Sequence, residues 1–467
     1  MPLLRLLVCC AWAVVAYPAG AQALPAEVET ALARAKFPRD ALSVVLVDAD
    51  GRSPARLSHR SDVAVNPASL AKLATTFAAL ELLGPAYTWS TPVYLGGPVR
   101  DGTLQGSLYL KGQGDPKLLA ERIWLLMRRI QGLGIRSIAG DIVLDRSAFE
   151  TTPVNPAAFD GEPLRPYNAA PDALLLNFKA LVLTFTPLGN QAQVHLDPPL
   201  AGLQLPVAVP LARGDCGDWR GALQADFSDA SRVRFAGSYA AACGERSWPI
   251  AYADPRSYAA RAVAGMWQQM GGSLTGQVRE GQVPAGLAPA FEWPSPPLAE
   301  VVRDINKYSN NVMAQQLFLT LSLRQKGAGT LEGSRELMRQ WWRERFGTPD
   351  APTFDNGSGL SREERITGQQ LARLLQTAWL SPLMPELVSS LPVMGVDGTM
   401  RRGRGKGVGL AHLKTGSLRD VAGVAGIVHA ASGKRYVLVA IVNHPNAAAA
   451  RPALDAIVQW AIDDERR

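Results

Sequence analysis

At 467 residues and 47% hydrophobic, with no repeat or low-complexity tract, the chain is long enough for two or three packed domains, which excludes a disordered or fibrous protein. Its formal charge of +7 is modest and spread along the chain; the densest basic stretch, Arg401-Arg402-Gly403-Arg404-Gly405-Lys406, has no interleaved aromatics, so nucleic acid is not an expected partner. His59, His195, His412, His429 and His444 show no metal-ligand spacing, and neither a metal nor another cofactor is expected.

The first 23 residues carry one early positive charge, Arg5, then an apolar run over 6–17 and the small-residue end Ala21-Gln22-Ala23. This pattern predicts a secretory signal cut after Ala23 and a soluble exported protein, because the apolar run is too short for a membrane span. Cys9 and Cys10 would leave with the signal. Cys216 and Cys243 would then pair as a disulfide in an oxidising compartment. A helix is predicted over 26–35 and a strand over 42–47, closed by the turn Asp48-Ala49-Asp50-Gly51. After Asn66-Pro67-Ala68, apolar residues at Leu70, Leu73, Ala74, Phe77, Leu80 and Leu83 predict a helix beginning at Ser69.

From residue 85 to 297 the texture changes to turn-rich segments such as Leu108-Tyr109-Leu110-Lys111-Gly112, and this predicts inserted, mostly β domains. Helical patterns return over 298–325 and 332–346. Two apolar runs, 421–430 and 434–443, separated by Ala431-Ser432-Gly433, predict a core hairpin, and 453–462 reads as an amphipathic helix packed on it. The expected layout is a signal over 1–23, a first domain split between 24–84 and 298–467, and an insert over 85–297.

Three short polar motifs carry the chemistry: Ser69-Leu70-Ala71-Lys72, Ser309-Asn310-Asn311 and Lys414-Thr415-Gly416. Ser69 sits where a proline turn becomes a helix, so its N–H lies at the positive helix end. Lys72 follows just under one turn later and can reach the Ser69 oxygen. To act as a base it must be neutral part of the time, which burial and a neighbouring cation such as Lys414 would favour. Ser309 can relay a proton and Asn311 can orient Lys72; the ordinary alternative is a helix N-cap. Lys414 and Thr415 offer a charge and a hydroxyl to a carboxylate, Gly416 leaves room for close backbone approach, and the Ser417 N–H can complete an oxyanion hole with that of Ser69. Asp355-Asn356-Gly357-Ser358-Gly359 reads as a loop.

In this order the motifs resemble those of penicillin-recognising serine acyltransferases. Together with 301–311, Gly114-Asp115-Pro116, 355–361 and 391–399, they are similar to the D-alanyl-D-alanine carboxypeptidase/endopeptidase family, the low-molecular-mass class C penicillin-binding proteins. The resemblance implies an α/β fold, an antiparallel sheet flanked by helices, with two inserted β-rich domains accounting for the 240 positions between Ser69 and Ser309. It implies Ser69 as nucleophile, Lys72 as base, Ser309 as proton shuttle, Asn311 as orienter, and Lys414 with Thr415 as carboxylate binders. The implied partners are peptidoglycan stem peptides, with β-lactams as covalent inhibitors, and the implied place is the periplasm or outer face of the envelope. An acidic residue reading the stem diamino acid would fall at Asp160 or Glu162. A serine β-lactamase and a non-catalytic wall-binding protein are the alternatives; no E-x-x-L-N segment follows Ser69 to support the first, and no motif is degraded as the second would require.

Overall fold

The computed structural model describes residues 23–150, 154–403 and 407–464. The expected signal therefore lies outside the described residues apart from Ala23, as do Arg404, Gly405 and Lys406 of the basic stretch.

Helix α1 (Ala26–Arg34), strands β1 (Leu42–Asp48) and β2 (Leu57–His59) and helix α2 (Ala71–Leu83) come from the first stretch of the chain. After residue 297 follow α3 (Leu298–Tyr308), α4 (Asn311–Lys326), α5 (Leu331–Phe346), α6 (Gly368–Trp379), β3 (Ala411–Leu418), β4 (Val421–His429), β5 (Arg435–Asn443) and α7 (Arg451–Ile462). The five strands form one sheet in the order β2-β1-β5-β4-β3, antiparallel throughout. Its centre joins the two ends of the chain, with Leu42 opposite Val442 and Asp48 opposite Tyr436.

The strands read as unbroken apolar runs because both faces are covered. Val44, Leu46, Leu438 and Val442 pack with Val28 and Leu32 of α1 and Ile457 and Val458 of α7. The intervening Val45, Val437, Val439 and Ile441 pack with Leu73 and Phe77 of α2 and with α3, α4 and α6. A strand with one wet face would have alternated.

Residues 85–297 carry their own cluster of buried side chains, from Val93 to Phe291. It holds two five-stranded sheets, one of which contains the parallel pairs 108–111 with 142–145 and 142–145 with 278–280. Parallel neighbours need crossovers. The helices Ala120–Gly132 and Tyr258–Gln269 lie between those strands in the chain. The insert is thus richer in helix than its turn-rich sequence suggests, although Ile123, Leu126, Met127 and Ile130 are buried at helical spacing. Cys216 and Cys243 are bonded, with S–S 2.07 Å.

The insert is stitched to α4 through Gln316. Its side-chain oxygen accepts the Asp172 N–H (2.7 Å), and its amide donates to the carbonyls of Asp172 (2.8 Å) and Gly114 (3.2 Å). The Asp172 carboxylate accepts from Lys179 (2.9 Å) and from Arg146, so a buried ion cluster stands behind the helix that carries Asn311.

Candidate active site

Ser69 lies on a single 3-10 turn, Ala68–Leu70, that runs directly into α2 at Ala71. Asn66 fixes the turn by accepting the Ala68 N–H on its side-chain oxygen (2.8 Å) and donating to Ser361 O (2.9 Å). Its own backbone is held by Asn443 of β5, whose side chain accepts from Asn66 N (2.9 Å) and donates to Asn66 O (3.0 Å). Ala68 adopts φ +46°, a left-handed conformation that costs a residue with a Cβ about 1 kcal/mol. Gly359, at φ +76°, backs onto it: a Cβ there would stand 1.9 Å from Ala68 O and 2.8 Å from Ser69 N.

α2 is buried on every side from Ala71 to Leu80, so Lys72 cannot reach water. Its amine donates to Ser69 Oγ (2.9 Å), to Asn311 Oδ1 (2.7 Å) and to the Ser358 carbonyl. Burial lowers its pKa to about 7, and the Glu364 carboxylate pulls in the opposite direction. Of the two causes expected from the sequence, burial and a neighbouring cation, burial is the one that lowers it, and the charge that acts beside it is an acid that raises it.

Asn311 is the first residue of α4, while Asn310 caps that helix by accepting the Met313 N–H at 3.0 Å. The cap and the contact with Lys72 thus fall on different residues of one tripeptide. Ser309 ends α3 in a left-handed conformation, φ +56°, and its Oγ accepts from Lys414 Nζ at 2.7 Å. Lys414 also donates to Thr415 O (2.8 Å), and burial followed by the charge of Lys72 holds its pKa well below the usual lysine range.

β3 presses on the Ser69 turn at Gly416, where a Cβ would stand 2.8 Å from Pro67 O. The close approach that needs glycine is therefore by the protein's own backbone. Thr415 Oγ1 lies 2.8 Å from Thr399 Oγ1, and Ser417 beyond it is exposed. Thr399 follows a turn tied to α3 by buried Lys307, whose amine donates to Asp397 Oδ2 at 2.6 Å while Asp397 Oδ1 accepts the Val393 N–H at 2.8 Å. Ser69, Lys72 and Asn311 are joined by hydrogen bonds, as are Ser309 and Lys414, and Gly416 brings the strand of Lys414 and Thr415 against the turn of Ser69. Thr399, Ser358, Glu364 and the Lys307–Asp397 pair were given no role from sequence; all but Glu364 lie in the segments 301–311, 355–361 and 391–399 that carry the family resemblance.

Asp160 accepts from Tyr167 Oη (2.8 Å), Asn168 Nδ2 (2.8 Å) and Glu162 N (3.1 Å), so it organises its own loop. Glu162 faces Arg165 at 3.5 Å. The segment reaches the loop after Gly359, where the Arg362 guanidinium lies 4.7 Å from the Phe159 ring centroid.

The fold is that of the penicillin-binding proteins, and the family to which the chain belongs makes it a serine-type carboxypeptidase, a hydrolase. The chain belongs to the D-Ala-D-Ala carboxypeptidase 3 (S13) family, whose sequence profile matches residues 24–463. It is similar to the D-alanyl-D-alanine carboxypeptidase DacB of Haemophilus influenzae, with 26% identity over 392 residues covering 80% of each chain. It is also similar to the D-alanyl-D-alanine carboxypeptidase of Actinomadura sp., with 28% identity covering 84% of this chain and 76% of that one. The crystal structure of penicillin binding protein 4 from Haemophilus influenzae shares the fold, with TM-score 0.75 and 21% identity over 93% of this chain and 98% of that chain. Among the described residues no helix is long and apolar enough to cross a membrane.

Proposed function

We propose that the protein is an exported D,D-peptidase that cuts D-Ala-D-Ala ends or D-Ala-diamino acid cross-links of peptidoglycan through an acyl-enzyme on Ser69, and that penicillin acylates the same residue. The observation that carries this reading is the 2.9 Å hydrogen bond between Lys72 Nζ and Ser69 Oγ, made by an amine whose burial brings it to about 7.

Neutral Lys72 takes the Ser69 proton as Oγ bonds to the substrate carbonyl carbon, and the carbonyl oxygen gathers charge in front of the Ser69 and Ser417 N–H groups. The C–N bond then breaks. The leaving amine takes a proton through Ser309, whose hydroxyl is bonded to Lys414, and water later hydrolyses the acyl-serine by the same proton path in reverse. Asn311 holds Lys72 in line, and Lys414 with Thr415 attracts the terminal carboxylate. The 85–297 segment acts as an insert, with Asp160 or Glu162 as the reader of the stem side chain. Periplasmic action is supported by the leader-like sequence over 1–23 and the Cys216–Cys243 bond.

Mass spectrometry after incubation with labelled penicillin tests the reading. A single adduct on the peptide containing Ser69 is expected, with release of D-Ala from a D-Ala-D-Ala peptide; no adduct and no release would sink it. Cross-linked muropeptides in a parallel digest separate endopeptidase from carboxypeptidase action.

A further inference from the structure

Near enough to Lys72 for its charge to be felt there lies a buried carboxylate with no part in the mechanism above. Glu364 is 1% exposed. Its Oε1 accepts three consecutive backbone N–H groups, from Asp355 (3.3 Å), Asn356 (3.3 Å) and Gly357 (3.1 Å). Its Oε2 is buried and makes no hydrogen bond among the described residues. A carboxylate oxygen so placed costs stability unless something else requires the group.

The loop it gathers is the one that meets α2 and the nucleophile turn. Gly357 O accepts from Thr75 Oγ1 at 2.8 Å, Ser358 O accepts from Lys72, and Gly359 backs onto Ala68 and Ser69. Within the loop, Asn356 Oδ1 accepts from Ser358 N (3.0 Å) and Ser358 Oγ (2.7 Å), and Gln315 of α4 donates to Ser358 Oγ at 3.3 Å. Three amides drawn to one oxygen therefore aim the next carbonyl at the base.

We propose that Glu364 is a positioning residue of the acyl-transfer site: it folds the 355–359 loop so that Ser358 O grips the Lys72 amine, and its charge sets how readily that amine loses its proton. This rests on the reading of Lys72 as base. The charged groups around it are Arg365, which donates to the Glu364 carbonyl at 2.8 Å, Asp355 in the loop it gathers, Arg335 of α5, which is bonded to Asp355, Lys72 of α2 and, near Lys72, Lys414 of β3. Burial first, and then Asp355, raise the Glu364 carboxyl to about 7 against the pull of the three amides. The charge of Glu364 in turn raises the Lys72 amine against the larger lowering by burial. An ionised Glu364 favours protonated Lys72; a neutral one releases it.

The sign gives the test. Glu364→Gln keeps an oxygen for the amides and removes the charge, so the acidic limb of kcat/KM for a D-Ala-D-Ala peptide, and of penicillin acylation, moves to lower pH. Glu364→Ala also releases the loop, and acylation at the pH optimum falls by about tenfold or more, the scale of losing an aligned base. If Glu364→Ala does not fold, the Glu364→Gln profile decides alone. A Glu364→Gln limb that does not move overturns the proposal while leaving Ser69 and Lys72 untouched. A wild-type protein that takes up no label at Ser69 overturns both readings.

Discussion

Asp172 and Lys72 are both charged side chains removed from water, but their surroundings differ in kind. Asp172 meets Lys179 at 2.9 Å and Arg146, and its backbone is held by Gln316. Burial alone would raise its carboxyl, yet Lys179 and then Arg146 more than offset this and hold it below the usual range. Lys72 has carbonyl and hydroxyl oxygens around it, a second buried lysine near enough to feel its charge, and only Glu364 as a weakly opposing carboxylate. The first cluster favours its charged form and ties the insert to α4. The second disfavours charge, which is what a base needs and what a stable core avoids.

The contrast is broken most completely by Ser69→Ala, which should abolish penicillin labelling and peptide hydrolysis while the thermal midpoint stays near wild type. Retained labelling at another residue would show that the acceptor is misassigned. Next, Lys72→Met should cost about a thousandfold in acylation rate, about 4 kcal/mol in the barrier. Its effect on stability should be neutral or favourable. Lys72 near 7 in the fold and about 10.4 unfolded makes its burial cost full below about pH 7 and relieved as pH rises toward the unfolded value. Lys72→Met should therefore gain most, relative to wild type, at and below about pH 7, and progressively less above it, in paired melting curves; a loss of several degrees would contradict this.

Asp172→Ala should behave oppositely. It strands Lys179 in the interior and should cost about 3 kcal/mol of stability by denaturant titration, with acylation at low temperature largely kept. The sign with pH is also opposite: a carboxyl held below its unfolded value contributes stability above that value, and this is lost as pH falls through the lower, folded one. The wild-type advantage over Asp172→Ala should shrink on acidification. The smallest effect is the wild-type pH profile itself, in which kcat/KM should fall about tenfold per pH unit below about 7 as Lys72 takes its proton. An acidic limb near the lysine range of small peptides would mean that burial does not tune this base.

Much of the site was legible because catalytic groups on short motifs need fixed local spacing. Ser69 and Lys72 are set by one helical turn, and Lys414 to Ser417 by a strand beside an apolar hairpin. Glu364 was not legible: it sits among Arg362, Glu363 and Arg365, where a carboxylate reads as one more surface charge, and only folding removes it from water. Thr399 was hidden likewise, since its place beside Thr415 depends on Lys307 reaching Asp397 across 90 positions. The two long helices of 85–297 were masked by surrounding Gly and Pro, although their own apolar spacing was present.

By itself, then, the sequence determined the local chemistry, the apolar strands buried on two faces and the order of the motifs, because these depend on neighbours within a turn or a strand. Tertiary structure decided which charges are dry. Whether Lys72, Lys414 and Glu364 sit in water or in the core depends on distant segments closing over them, as Asn311 and Ser358 do on Lys72 and Ser309 on Lys414, and desolvation, the cause that moves all three furthest, exists only once they have closed.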